Sequence, residues 1–477
     1  MLFREGLIRQ RRIHFIGIGG IGMSGIAEIL LNLGYKISGS DLRGSAVTER
    51  LKTIGAVVFE GHAEEHVKGA DAVVYSSAIS PTNPEFESAR RRGIPTIMRG
   101  ELLAELMRLK YGIAVAGSHG KTTTTSMTAA VLHGAKKDPT VVVGGRVGSM
   151  GSNARLGKSD FLLVEADESD GSFLRLAPII AVITNIDQEH MDYYGSLETL
   201  EQAFVDFANK TPFYGSTILC VDDPTLRRLM PRIEGQVRTY GTEEVSPDAD
   251  LRICNIECGH LVSRFDLRFR GKDLGRFEVQ GVGRHSVLNA AAAAMIALEL
   301  DATADQIRDG LREFIGVDRR FQLRGVRGGV TVIDDYGHHP TEIRATLAAA
   351  KTCDFERTLV VFQPHRYSRT QLLMDEFAAS FGDCDRLWVT DIYAASEEPL
   401  PNVNSPALVE RIQAAGNEPA TYAESIEQAV EQAVAEAQPG DVIITLGAGS
   451  IWRAGDSLLA GLEERFASTA PRARATS

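Results

Sequence analysis

The sequence predicts an α/β protein of three domains, and three observations predict it. Apolar strands at 12–18 and 112–116 each run into a glycine-bearing turn and then a helical stretch. In the C-terminal third, strand-like runs alternate with helical stretches at 370–381, 406–415, 424–437 and 451–465. The length of 477 residues also suits about three domains. Alternation of this kind signals parallel sheets covered by helices, whose ligands gather at the carboxyl ends of the strands. Domains are expected over 1–110, 111–317 and 318–467, followed by a disordered tail, 468–477, that has little to bury.

Composition narrows the function classes. A hydrophobic content of 44% and a charged content of 24% suit full cores in a globular chain. No apolar run has membrane-spanning length and the N-terminus lacks a signal-peptide layout, so a cytoplasmic protein without membrane insertion is expected. The net charge of −12 argues against broad binding to nucleic acid. The five cysteines are scattered, and Cys254, Cys258 and His260 have no fourth ligand at zinc-site spacing, so they read as packing residues.

The first strand, 12–18, leads into Gly17-Ile18-Gly19-Gly20-Ile21-Gly22, a helix from about Met23 to Leu33, and a second strand ending at Asp41. Gly-x-Gly-x-x-Gly with an acid about 20 residues on places a nucleotide diphosphate at a helix N-terminus, and UDP-sugars carry that group as well as dinucleotides do. Ala72–Tyr75 then delivers Ser76 and Ser77 to the same sheet edge, while His62 reads as a surface or capping histidine.

Strand 112–116 leads into Gly117-Ser118-His119-Gly120-Lys121-Thr122-Thr123 and a helix over 124–132. Successive amides and the helix dipole cradle phosphate oxygens there; Lys121 reaches the β/γ-phosphates and the Thr122 hydroxyl reaches Mg²⁺. Val115 stands where the full pattern has glycine. Gly144-Gly145 and Ser152-Asn153-Ala154 read as small polar turns. Phe161–Val164 delivers Glu165, after which Asp167, Glu168 and Asp170 crowd together; Ile179–Ile183 delivers Asp187, Glu189 and His190. Acids that repel one another at two strand ends beside a phosphate loop fit a bound cation. Residues 250–280 alternate in short β-like runs, and His285, Ser286 and Asn289 open an alanine-rich helix, with a second helix over 303–314.

In the last third, Arg319 and Arg320 precede strand Val330–Ile333, which ends in Asp334-Asp335-Tyr336-Gly337-His338-His339-Pro340. Pro340 sits where a helix begins. Strand Leu359–Phe362 ends in Gln363-Pro364-His365-Arg366-Tyr367-Ser368-Arg369, and strand 442–445 ends in a Gly-Ala-Gly-Ser turn.

These ordered motifs together resemble the Mur ligase family, over about residues 12 to 455. The resemblance implies a Rossmann-like UDP-binding domain, a central P-loop ATPase-type α/β domain and a C-terminal Rossmann-like amino-acid domain. It implies ligation of L-alanine to the lactyl carboxylate of UDP-N-acetylmuramic acid, driven by ATP through an acyl phosphate. By similarity the diphosphate loop is Gly17, Gly19, Gly20, Ile21 and Gly22, with Asp41, His62, Ser76, Ser77, Glu168 and Ser169 also on the UDP-sugar. ATP falls to Gly117, Ser118, His119, Gly120, Lys121, Thr122, Thr123, His285, Asn289, Arg320 and Asp335, with Arg319 an alternative register for Arg320. Ser286 stands where the family usually has asparagine. Two Mg²⁺ ions are implied, one on Thr122 and Glu165 and a second on His190. Tyr336, His338, Arg366 and Arg369 resemble the L-alanine pocket, with His338 as the base; Lys121, His190 and Arg320 join it as the catalytic set. A monomer or weak homodimer is expected. A dehydrogenase would explain residues 12–41 but not Lys121, Glu165 and His190, and a non-catalytic UDP-sugar sensor has no need of Lys121, Thr122 and Glu165.

Overall fold

The computed structural model describes residues 11–76, 78–147, 152–259, 261–416 and 419–469. The first sheet contains β1 (Arg12–Ile16), β2 (Lys36–Asp41), β3 (Val57–Glu60), β4 (Ala72–Tyr75) and β5 (Thr96–Met98) in the order β3-β2-β1-β4-β5. All of its pairings are parallel. The order reverses between β1 and β4, which opens a crevice at their carboxyl ends.

The second sheet holds ten strands: β6 (Tyr111–Ala116), β7 (Thr140–Val147), β8 (Ser152–Arg155), β9 (Phe161–Glu165), β10 (Ile180–Ile183), β11 (Ser216–Cys220), β12 (Val237–Thr242), β13 (Leu251–Gly259), β14 (Val262–Phe269) and β15 (Lys272–Gln280). β6 lies between β9 and β10, parallel to both, so its end and the two acid-bearing strand ends share one edge. The helix that follows β6, Lys121–Gly134, packs on the helix Ala304–Glu313 with Gly134 facing Gly310. A Cβ on Gly310 would lie 2.5 Å from Val131 Cα, so the glycine sets how closely the two helices approach.

The third sheet orders β16 (Gln322–Arg327), β17 (Val330–Asp335), β18 (Thr358–Phe362), β19 (Arg386–Val389), β20 (Ala420–Tyr422) and β21 (Val442–Leu446) as β16-β17-β21-β18-β19-β20. Only β16 is antiparallel to its neighbour. Alternate residues of its fully buried strands feed two cores. Val360, Phe362, Ile444 and Leu446 pack on one face; Leu359, Val361, Ile443 and Trp388 pack on the other.

By compactness the described residues form two units. One comprises those up to Asn255 with Phe265–Val279 and Leu288–Val317; the other comprises Ile256–Arg264, Gln280–Val287 and those from Asp318 onward. Among the described residues no helix is long and apolar enough to cross a membrane.

Three expectations change. The turns read at 144–145 and 152–154 are parts of β7 and β8, which pair antiparallel on either side of the glycines, with a register shift between Val142 and Val147. The single helix expected over 370–381 is two, Tyr367–Leu372 and Met374–Ala378; the break at Leu373 turns Phe377 and Phe381 onto Phe362. The last helix, Ala454–Thr469, runs past the expected start of the tail, whose residues 470–477 lie outside the described ones, as do Ser77 and His260.

Candidate active site

The second sheet supplies the densest chemistry. Gly117 (φ +130°) and Gly120 (φ +81°) adopt backbone conformations that a side chain would strain. The end of β10 holds the loop between them. Asn185 Oδ1 accepts from the His119 amide at 2.8 Å, and the His119 carbonyl accepts from Thr184 Oγ1 at 2.6 Å and Asn185 Nδ2 at 3.1 Å. His119 Nε2 lies 2.9 Å from Asp187 Oδ2. No side chain caps the helix Lys121–Gly134, so its first amides are open to an anion. Thr122 and Thr123 stand in its first turn.

Lys121 Nζ donates to the carbonyls of Gly117 (2.6 Å) and Ser118 (3.1 Å) and to Glu168 Oε1 (2.7 Å). Burial works against its charge, but Glu168, with Glu165 and Glu189 behind it, holds its pKa above the ordinary lysine value. Burial pushes the Glu168 carboxyl up to about 7 even against the pull of Lys121. Thr122 Oγ1 donates to Glu165 Oε1 at 2.8 Å. Glu168, Glu189 and His190 place one ligand atom each within 4.8 Å of one another. Glu168 Oε2 is buried with no hydrogen-bond partner, as suits a group that awaits a cation, and the oxygen-rich donor set suits a hard divalent ion. His190 presents its ring from a left-handed backbone, φ +58°. Asn289 sits under the loop. Its Oδ1 accepts from Thr124 Oγ1 at 3.2 Å and lies 2.6 Å from where a Cβ on Gly120 would be.

In the first domain, the amides of Gly17 and Ile18 donate to the Ser40 carbonyl at 2.8 and 2.9 Å, and the Gly19 amide donates to Asp41 Oδ2 at 2.9 Å. Gly20 begins the helix Ile21–Asn32 without a side-chain cap, so the next amides are open there too. Ser76 follows β4 at the same edge. His62 is no solitary surface residue, because its Nδ1 lies 2.8 Å from the buried carboxylate of Glu85. Glu168 and Ser169 were expected on the UDP-sugar. The structure places Glu168 against Lys121, and the Ser169 amide donates to Asp167 Oδ1 at 3.1 Å. The residue of that segment that reaches the first domain is Asp167, whose Oδ2 accepts from Arg99 Nη2 at 3.1 Å. Arg99 lies over the glycine loop, 2.6 Å from where a Cβ on Gly22 would be. An isolated arginine before a helix carries no motif, so sequence reasoning missed it.

In the second unit, Asp335 turns both carboxylate oxygens into its own domain. It accepts from the amides of Phe321 (2.7 Å) and Gly337 (2.8 Å) and from Thr346 Oγ1 (3.1 Å). It therefore holds the arginine-bearing loop instead of presenting a bare carboxylate to a ligand. Arg319 is fixed on buried Asp334 through Nε at 3.2 Å and on the Gly447 carbonyl, whereas Arg320 Nη1 meets Glu342 Oε1 at 3.2 Å. Both guanidiniums also stack on Tyr336, 4.9 and 5.2 Å from the ring centroid. Arg319 is thus a brace, which favours Arg320 as the ligand arginine. His338 Nδ1 lies 3.0 Å from the Tyr336 carbonyl; a carbonyl only accepts, so Nδ1 carries the proton and Nε2 is the basic nitrogen. Burial first, and then the Arg320 guanidinium, keep His285 below the ordinary histidine pKa against the pull of Asp335 and Glu342. Ser286 donates to the Val282 carbonyl at 3.1 Å, so its hydroxyl serves the helix start.

Arg366 (φ +71°) and Arg369 follow a residue that motif reading named but gave no role, His365. His365 stacks on Tyr393 with ring centroids 5.5 Å apart, lies 5.7 Å from the His338 ring, and has Arg369 Nη1 3.3 Å from its Nδ1. Burial, then the cations around it (His338, Arg369, Arg366 and Arg319), hold its pKa down to about 3. The imidazole is thus neutral, with the Arg369 guanidinium beside it.

Two glycine loops at parallel-sheet ends, one carrying a lysine among carboxylates, and a separate cationic cluster define a nucleotide-using enzyme with several substrates. Residues 12–111 match the model described as Mur ligase family, catalytic domain, residues 115–297 the Mur ligase middle domain, and residues 319–449 the Mur ligase, glutamate ligase domain. The chain belongs to the Mur ligase family. It is 59% identical over 457 residues, 96% of each chain, to a UDP-N-acetylmuramate–L-alanine ligase of Solibacter usitatus strain Ellin6076. It is 57% identical over 463 residues to one of Koribacter versatilis strain Ellin345, which covers 96% of this chain and 98% of the relative. The crystal structure of the UDP-N-acetylmuramate–alanine ligase MurC of Thermotoga maritima matches with a TM-score of 0.79 and 28% identity, over 96% of this chain and 99% of that one.

Proposed function

We propose that this protein is an ATP-dependent ligase that joins L-alanine to the lactyl carboxylate of UDP-N-acetylmuramic acid, giving UDP-N-acetylmuramoyl-L-alanine, ADP and phosphate, a step of peptidoglycan precursor synthesis in the cytoplasm. The observation that carries this reading is the match to a ligase of that name at 59% identity across 96% of both chains. Residues 1–110, 111–317 and 318–467 are the UDP-sugar, ATP and amino-acid domains. The Gly17–Gly22 loop takes the diphosphate at the open amides of its helix start, and Asp41, His62, Ser76 and Ser77 take the uridine end. The 117–122 loop holds the ATP phosphates through Lys121 and the open amides of its helix start, and His285 and Asn289 border the adenine.

The lactyl carboxylate attacks the γ-phosphorus, so anion meets anion, and the rate depends on charge placed where it develops. Lys121 leaves Glu168 for the phosphoryl oxygens, and Arg320 meets the same group. Thr122 with Glu165, and His190 with Glu168 and Glu189, would hold two Mg²⁺ ions, which supply further neutralisation when bound. The alanine amine, with its proton passed to His338 Nε2, attacks the acyl phosphate, and phosphate leaves the tetrahedral carbon. Arg366 and Arg369 clamp the alanine carboxylate.

Phosphate release from ATP is the test. It should require both UDP-N-acetylmuramic acid and L-alanine. Release driven by a tripeptide in place of alanine would instead identify a peptide-adding ligase, and release that needs neither substrate would end the ligase reading.

A further inference from the structure

Glu85 is an unusual residue to find in a small parallel domain. It is fully buried, in the first turn of the helix Pro84–Arg91, and three histidines and a serine converge on it from strands β1, β2 and the segment after β3. His62 Nδ1 lies 2.8 Å from Oε2, Ser40 Oγ donates to the same oxygen at 2.5 Å, and His66 Nδ1 lies 2.7 Å from Oε1. His14 Nε2 stands 3.5 Å from Oε1, its other nitrogen engaged with Ser38 Oγ at 2.9 Å. His66 stacks flat on Phe59 at 4.2 Å, which leaves its ring no freedom to turn.

Burial pushes the Glu85 carboxyl up, but the nearby His14 ring and the hydrogen bonds from Ser40 and His62 outweigh it and carry the pKa down to about 2. The group is therefore ionised across the physiological range, and an ionised carboxylate accepts but never donates. Each histidine that bonds to it through Nδ1 must carry its proton there. In a neutral His62 this leaves Nε2, on the far side of the ring, as a lone-pair acceptor. The His62 side chain is 13% exposed, and its backbone follows β3 directly after Gly61, whose amide donates to the Asp41 carbonyl at 2.8 Å. It thus stands beside the residue that receives the Gly19 amide.

We infer that Glu85 is a positioning residue for the uridine end of the site: it fixes His62 in the Nδ1–H tautomer and so presents Nε2 as the acceptor for the N3–H of the pyrimidine. The inference rests on the proposed placement of uridine at His62. It explains why a charge is buried where apolar packing would serve, since an oriented acceptor requires a partner that can only accept. It also gives the site a means of choosing between bases. Uracil offers a donor at N3, whereas cytosine offers a lone pair there, which would face the lone pair of Nε2.

Long-range ¹H–¹⁵N spectra of protein labelled at histidine nitrogens test the tautomer without any variant, with the His62 signals assigned by their loss in His62→Ala. Nδ1–H in the unmodified protein is expected; Nε2–H overturns the inference. In Glu85→Gln the His62 signals should leave the pure Nδ1–H pattern. The KM for UDP-N-acetylmuramic acid should rise about tenfold, as for one lost hydrogen bond, with the KM values for ATP and L-alanine unmoved. In the His62→Ala background the same substitution should add nothing to that KM. If His62→Ala weakens UDP-N-acetylmuramic acid but Glu85→Gln acts independently of it, the positioning inference falls and the uridine placement stands. If His62→Ala leaves the affinity unchanged, the uridine placement itself falls.

Discussion

The two glycine loops of the first unit are alike in backbone and unlike in charge. Each follows a buried strand of a parallel sheet, turns through a glycine of positive φ, and opens a helix that no side chain caps. The first loop contains no ionised side chain. Asp41 accepts one of its amides, and the nearby guanidinium of Arg99 is tied to Asp167. The second carries Lys121 among Glu165, Glu168 and Glu189, with His190 close by. A diphosphate that passes through a reaction unchanged needs only fixed dipoles. A phosphoryl group that changes hands needs charge that can be redistributed, and in the proposed reaction the Lys121–Glu168 pair would supply it by exchanging an internal partner for a ligand.

The sharpest way to break this comparison is Lys121→Ala. Turnover should fall about 10²-fold or more, because a cation aimed at the transferring group is lost. Calorimetric affinity for UDP-N-acetylmuramic acid should not change. Equal loss of both would mean that the two loops do not divide their work in this way.

The proposed L-alanine cluster at the strand ends of the third sheet extends the comparison to a ligand with a carboxylate of its own. Arg369→Ala should raise the KM for L-alanine at least tenfold, the scale of a charge-assisted hydrogen bond. The KM values for ATP and UDP-N-acetylmuramic acid should stay near their original values in steady-state kinetics. Equal increases for all three would remove the alanine clamp.

What could be read from the chain follows from how local the physics is. The strand, loop and helix at 112–132 and the acids of β9 and β10 were legible, because glycine spacing, one lysine and carboxylates at strand ends lie within short windows. The Glu85 network was not. Residues 14, 40, 62, 66 and 85 are brought together by parallel pairing in β3-β2-β1-β4 and by the helix that follows β4, which no local pattern encodes. Arg99 and the stacked His365–Tyr393 pair escaped for the same reason. Helices such as Ala46–Thr53 and Leu197–Ala208 carried a local signal that went unused, the capping serines Ser45 and Ser196. β7 and β8 were misread because glycine in a strand looks like a turn until its partner strand is known.

The smallest effect separates the loops by rigidity. A Cβ on Gly117 would lie 2.1 Å from Thr184 Oγ1 and 3.0 Å from the Thr184 amide nitrogen, at φ +130°. The backbone of β10 cannot move aside, since Thr184 N donates to the Ala116 carbonyl at 3.0 Å and Thr184 Oγ1 to that of His119 at 2.6 Å. Gly117→Ala should therefore cost about 2 kcal/mol or more from strain and overlap together, and lower the thermal midpoint by several degrees. In the first loop a Cβ on Gly19 would meet Asp41 Oδ2 at 2.8 Å and Thr48 Cγ2 at 3.0 Å, both ends of side chains that can shift. Gly19→Ala should thus cost less than about 1 kcal/mol of stability, within the range of well-tolerated substitutions. Its effect should appear as a few-fold weaker affinity for UDP-N-acetylmuramic acid, because Asp41 is displaced. Calorimetric scans of both variants decide the point. If Gly19→Ala proved the more destabilising, the first loop would be the stiffer of the two, and the contrast between a loop held by the neighbouring strand's backbone and one held by a movable carboxylate would fail.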